Sequence, residues 1–77
     1  MDIKRLSHFI ALVEEGRFAP AAQRMHLSAA AFSRSIQTLE AKFGMTLFDR
    51  TPQGVALTRA GQLLLPRARQ MVFDSRC

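Results

Sequence analysis

The stretch SAAAFSRSIQTLE, Ser28 to Glu40, decides how this chain is read. Wound as a helix it puts Phe32, Ile36 and Leu39 on one side, continued by Phe43, because residues at i, i+4, i+7 and i+11 share a face. The opposite side carries Ala30, Arg34 and Gln37, with Ser33 at its edge. An apolar back and a small, hydrogen-bonding, cationic front suit a helix lying in the major groove of DNA, where Arg and Gln can pair with base edges. Amphipathic helices with mixed polar faces are more often simply solvated, so the flanks have to decide.

Upstream, Ile3, Leu6, Phe9, Ile10 and Val13 form the apolar stripe of a helix from Asp2 to Glu15. Asp2 suits its N-cap, and Gly16 can take the left-handed conformation that ends it. Lys4, His8 and Glu15 fall opposite the stripe. His8 has no acid or nucleophile near it in the pattern and reads as a solvated histidine, not a catalytic base. Phe18 is expected in the core. Pro20 suits the first position of a short helix, Pro20 to Met25, where a missing N–H costs nothing; Ala21, Ala22 and Met25 are its buried side. His26, a turn residue and not a ligand, and Leu27 then lead tightly into Ser28, a good N-cap. Two helices joined by so brief a turn, the second longer and polar-faced, form a helix-turn-helix.

Downstream, Lys42 in the last turn favours the helix dipole and Gly44 is the expected C-terminal cap. The hydrophobic period then changes. Leu47–Arg50 and Val55–Leu57 are strand-like, and Pro52 and Gly54 between them supply the fixed and permissive φ of a turn. This predicts a small hairpin, a wing, with Arg50 at its base reaching phosphate or a narrow minor groove, or else paired with Asp49 or solvent. Thr58 caps a final helix to about Asp74. Its apolar residues, Ala60, Leu64, Leu65, Ala68, Met71 and Val72, make a band wider than one small core needs, so a second copy of the chain is expected to cover part of it. The dimer contact is placed at Leu64, Leu65, Ala68, Met71 and Val72. Pro66 should bend this helix near its middle.

Composition bounds the rest. Seventy-seven residues make one small domain, and 11 Lys and Arg against 6 Asp and Glu give a formal charge of +5 that favours a polyanion. The single cysteine, Cys77, forms no internal disulfide, and no Cys and His cluster has metal-ligand spacing, so neither metal nor cofactor is expected. A reducing, cytoplasmic setting fits. No apolar run approaches the roughly 18 residues of a membrane span, and MDIKRLSHF lacks a signal peptide's apolar centre.

Taken together, GRFAPAAQRMHLS, FSRSIQTLE, GMTLFDR and GVALTRAG, in this order and at this spacing, strongly resemble the amino-terminal DNA-binding domain of LysR-type bacterial transcriptional regulators. The likeness covers about Asp2 to Met71. It implies a mainly α fold, a winged helix-turn-helix with a three-helix core, a two-stranded wing and a long C-terminal linker helix. The recognition helix, 28–43, would enter the major groove and the wing, 47–57, would approach the minor groove. On this reading residues 1–57 are the DNA-binding domain and 58–77 the linker and dimerisation helix. An effector-sensing domain, to which any small-molecule effector would bind, is absent, so the chain is expected to be a fragment of a longer regulator. Ser28 matches the family's Ser facing the DNA backbone, Ser33 and Arg34 its exposed Ser-Arg pair, and Arg50 its wing arginine. The departures are Ala29 and Ala30 where Gln and Pro are usual, Ala19 in place of a Thr or Ser that would cap the second helix, and Gln53 where the wing is often basic.

The expected function is sequence-specific binding of double-stranded DNA by a homodimer, on an inverted repeat with recognition helices about 34 Å apart. Ser33, Arg34, Gln37 and Ala30 would meet bases, Ala30 offering only a methyl. Ser28, Arg50, Gln53 and, more weakly, Lys42 would meet the backbone or minor groove. The alternative is a winged-helix module that binds protein through the last helix. An enzyme fits worst, because His8, His26, Cys77 and the carboxylates assemble no nucleophile with a base and an orienting group.

Overall fold

The computed structural model describes residues 2–76, so the expectations for Cys77 lie outside it. Helix α1, Ile3–Glu15, begins where the Asp2 carboxylate accepts the Arg5 backbone N–H at 3.3 Å, and it ends at Gly16, whose φ of 77° only glycine adopts without strain. Helix α2, Phe18–Arg24, starts earlier than its proline suggests. Phe18 packs edge-on against Phe32, with ring centroids 6.0 Å apart, and Arg17 is the extended N-cap, without a side-chain cap bond. Pro20 therefore takes the third helical position, still among the first-turn N–H groups that lack an intrahelical acceptor. Ala19 lies inside the first turn, so the capping loss expected there does not arise. His26, with φ 59°, makes the turn, and the Leu27 N–H returns to Ala22 O at 2.9 Å.

Helix α3, Ala29–Phe43, is capped at both ends as its sequence predicts: Ser28 Oγ accepts the Ala31 N–H at 3.1 Å, and Gly44 adopts φ 68°. Phe32, Ile36 and Leu39 are buried against Leu6, Phe9 and Leu12 of α1 and Ala21 and Ala22 of α2. Phe43 does not continue this back: the last turn runs past the core and leaves the ring 40% exposed. His8 also departs from expectation. It is only 5% exposed, sits 5.6 Å from the Phe32 ring centroid, and shares a 2.6 Å hydrogen bond with Ser35 Oγ through Nδ1. The α1 face opposite the apolar stripe is thus partly covered by α3, which a single-helix pattern does not reveal.

The wing consists of β1, Phe48–Thr51, and β2, Gly54–Leu57, paired antiparallel from Phe48 with Leu57 to Thr51 with Gly54. Thr51 and Gly54 extend the strands to a two-residue turn, whereas Leu47 precedes β1 and is buried. Hydrogen bonds fix the wing and its flanks in place. Glu40 accepts the N–H groups of Leu47 and Phe48 at 2.7 and 3.3 Å, Val55 N–H donates to Gly16 O at 3.0 Å, and Thr58 N–H donates to Leu47 O at 3.0 Å.

Helix α4, Arg59–Arg76, opens with Thr58 Oγ1 accepting the Gly61 N–H at 3.1 Å and runs through Pro66 without interruption. Gly61 is pressed onto the start of the wing, where a Cβ would stand 2.3 Å from Leu47 O. The α4 residues expected to meet a second copy are largely occupied within the chain itself. Leu64, Ala68 and Val72 are buried within this chain's own core, and Leu65 and Met71 pack half-buried at its edge. The uncovered large apolar side chains of α4 are Leu63 and Phe73, 61% and 63% exposed. Among the described residues, no helix is long and apolar enough to cross a membrane.

Candidate nucleic-acid interface

The helical period of α3 turns Ala30, Arg34 and Gln37 outward together, all exposed, with Ser33 half-buried beside them. At the tip, Ala29 and Ala30 present methyl groups only, so the polar front begins one turn further in. Ser28 Oγ is engaged as the cap acceptor, which leaves its hydroxyl hydrogen free to donate outward.

The wing brings Arg50 to the same side. Its guanidinium carbon stands 4.5 Å from the centroid of the Phe18 ring, a cation–π contact of roughly 0.5–1 kcal/mol at an exposed site. Ser33, Gln37, Phe18 and Arg50 line one notch between α3 and the wing, so two of the base-reading candidates and the wing arginine share a single surface. Phe18 and Arg50 also border the adjoining groove, with Arg17, Gln53 and Gly54. Pairing of Arg50 with Asp49, the plainer alternative, is not what the structure contains: Arg50 lies over an aromatic face instead.

Arg17 was not singled out by sequence. Its Nε donates to the carbonyl oxygen of Gln53 at 3.1 Å, joining the start of α2 to the wing turn 36 residues away. No local pattern connects these positions, and a lone cation before Phe18 carries no periodic signal. Gln53 itself contributes this carbonyl while its side chain lies in the exposed turn. Lys42 is placed differently from the other backbone candidates. It lies about 12 Å further along the α3 axis than Arg34, with Nζ 3.0 Å from Asp2 Oδ2.

The carboxylates sharpen this asymmetry. Asp2 binds Arg5 and Lys42, Glu14 binds Arg24 and Arg69, and Glu15 binds Arg24. Hydrogen bonds from the Arg5 and then the Lys42 side chains hold the Asp2 carboxyl well below the usual carboxylate range. Glu40 is turned onto backbone N–H groups. Arg17, Arg34 and Arg50 form no ion pair among the described residues, so their charges stay available on the surface around α3 and the wing, where Asp49 and Glu40 are the nearby carboxylates. The described residues contain no group of three or more His, Cys, Asp or Glu that could hold a metal ion.

Such a surface can hold phosphates through its arginines while offering Arg and Gln to base edges. Comparison with known proteins agrees with the geometry. Over 72 residues the chain is 49% identical to the HTH-type transcriptional regulator TfdT of Cupriavidus pinatubonensis (strain JMP 134 / LMG 1197), which covers 94% of this chain and 32% of that protein. It is 48% identical over 75 residues to the SDS degradation transcriptional activation protein of Pseudomonas sp. (strain ATCC 19151), covering 97% of this chain and 24% of that one. The chain thus spans a third or less of the length of these two relatives. Among solved structures, the CbnR_DBD-DNA complex superposes with a TM-score of 0.91 at 39% identity, covering 97% of this chain and 86% of that one. The BenM_DBD/benA site 1 DNA complex gives 0.91 at 30% identity, covering 99% and 88%. Residues 3–62 match the family described as bacterial regulatory helix-turn-helix protein, lysR family, and the chain belongs to that family.

Proposed function

We propose that this chain is the sequence-specific DNA-binding part of a transcriptional regulator: a winged helix-turn-helix through residue 57, followed by a linker helix. The carrying observation is the notch in which Ser33 and Gln37 of α3 meet Arg50 of the wing, an arginine that forms no ion pair among the described residues. Arg34, Gln37 and Ser33 contact bases, with Ala30 offering a methyl to thymine. Arg50, Arg17, Ser28 and the wing turn at Gln53 hold the backbone. Lys42 is the weakest of the backbone candidates, because its charge is already met by Asp2. Two copies bind an inverted repeat, and the regulator acts in the cytoplasm, where it meets chromosomal DNA. Sensing of a small-molecule effector belongs to a further domain of the kind that makes up the rest of its longer relatives.

Selection of bound duplexes from a random pool tests the reading. An enriched two-fold sequence with half-sites about one helical turn apart is expected. Recovery of no preferred sequence would sink it in favour of a general DNA binder or a protein-binding module.

A further inference from the structure

The apolar back of α3 fixes which side faces the core, but apolar contact is non-directional and leaves rotation about the helix axis loosely set. A hydrogen bond is directional. Among the described residues, the side-chain hydrogen bond that joins α1 to the middle of α3 is His8 Nδ1 to Ser35 Oγ, at 2.6 Å. Ser35 directly follows Arg34, so the azimuth of one dictates that of the other, and of Gln37 three residues on. Rotation of α3 by about 10° would carry a group ~6 Å from the axis through about 1 Å, enough to spoil a hydrogen bond to a base.

We infer that His8 is a positioning residue for DNA recognition, fixing through Ser35 the rotational setting of α3 and so the aim of Arg34 and Gln37. The inference rests on the reading of α3 as the base-reading helix. Its geometry supports that role: the ring is buried against Phe32 and hydrogen-bonds the Ser35 hydroxyl of α3. Burial, and then the positive charges of Lys4 and Arg5, lower the pKa of His8, with Asp2 acting weakly in the other direction. The α3 and turn residues that line the same hollow, Ala31, Ser35 and Leu27, carry no charge, and Lys42 of α3 pairs with Asp2. Burial and the positive charges both favour the uncharged imidazole beside the Ser35 hydroxyl.

The test compares affinity for the selected duplex with affinity for a random duplex of equal length, in wild type, His8→Phe, Ser35→Ala, the double variant and Ser35→Thr. Thermal melts confirm that each variant is folded at the assay temperature. Either single change is expected to lower the specific-to-random ratio about five- to tenfold, the worth of one buried hydrogen bond. Affinity for random duplex should stay unchanged, since it depends on phosphate contacts. The double variant should fall no further than the worse single one, and Ser35→Thr, which keeps the hydroxyl, should retain the wild-type ratio. An unchanged ratio in both single variants overturns the inference. So does an equal loss on both duplexes, which marks a purely structural role. If wild type itself prefers no duplex, the base-reading assignment of α3 has failed, and that is visible before any variant is made.

Discussion

Arg34 and Arg50 bring the same charge to different chemistry. Arg34 projects from the exposed front of a helix, where its forked donors can match a base edge; Arg50 lies over Phe18 at the mouth of the wing groove, where on the proposed docking it would meet phosphates or the minor-groove floor. Arg34→Ala is expected to flatten discrimination at one or two base pairs, by about 1–3 kcal/mol each. Arg50→Ala is expected to weaken binding on every sequence and to shallow the slope of log affinity against log salt by about 0.9. Anisotropy titrations on the selected site, its single-base variants and a random duplex, over a range of salt, separate the two effects. Equal behaviour of the two variants would refute the division of roles. Asp2 makes a prediction of another kind. Its carboxyl keeps its charge to lower pH in the folded chain than in the unfolded one, because Arg5 and Lys42 bind it. Its contribution to stability is complete above the ordinary carboxylate pKa of about 3.9 and is lost as pH falls through the depressed folded value. Asp2→Asn should therefore melt lower than wild type near neutral pH, and the gap should close on acidification. A gap that stayed constant down to strongly acid pH would show that the charge is not what Asp2 contributes.

At the scale of elements, α4 meets the wing across Gly61. Alanine there would favour the helix by about 1 kcal/mol on propensity, yet its methyl would stand 2.3 Å from Leu47 O and 2.6 Å from Leu57 Cδ2. The backbone oxygen cannot swing aside, so the clash outweighs the propensity gain. Gly61→Ala is expected to lower the melting temperature and to weaken DNA binding by displacing the wing; a melt unchanged or raised would refute this close approach. Local signals made most element ends legible. Asp2, Ser28 and Thr58 all cap as predicted, and Gly16 and Gly44 end their helices, because a cap is chemistry between residues three or four apart. The start of α2 was not legible, since the packing of Phe18 on Phe32, fourteen residues away, overrides the cue of Pro20. His8 was misjudged for the same reason: one helix's periodicity tells which residues differ from the stripe, not whether another helix covers them. Glu40 carried no signal at all, for its carboxylate serves two N–H groups of a segment beyond the next turn.

At the scale of the whole molecule, the exposure of the α3 front and of the wing arginine was legible in sequence, whereas the burial of Leu64, Ala68 and Val72 inside the chain's own core was not. Counting apolar residues made the band seem too wide for one core, but α1 and the approach to the wing together absorb Leu64, Ala68 and Val72. What they leave is Leu63, Pro66 and Phe73, which fall within about 80° of arc on the outer face at 100° per residue and are all exposed. A second copy brought to the first by its own α4 would bury this strip against its equivalent, as a two-fold contact requires. Acidic side chains at the exposed Leu63 and Phe73 leave the core untouched, so Leu63→Glu with Phe73→Glu should keep the circular dichroism of the fold while sedimentation shows a monomer. Such a monomer still carries Ser33, Arg34, Gln37 and Arg50 and should bind a single half-site as wild type does. On the full inverted repeat it should lose the gain that linking two sites provides, on the order of 10²-fold or more. Loss of half-site binding would instead mean that the outer face of α4 supports the fold, and persistence of the dimer would place the contact elsewhere on the molecule.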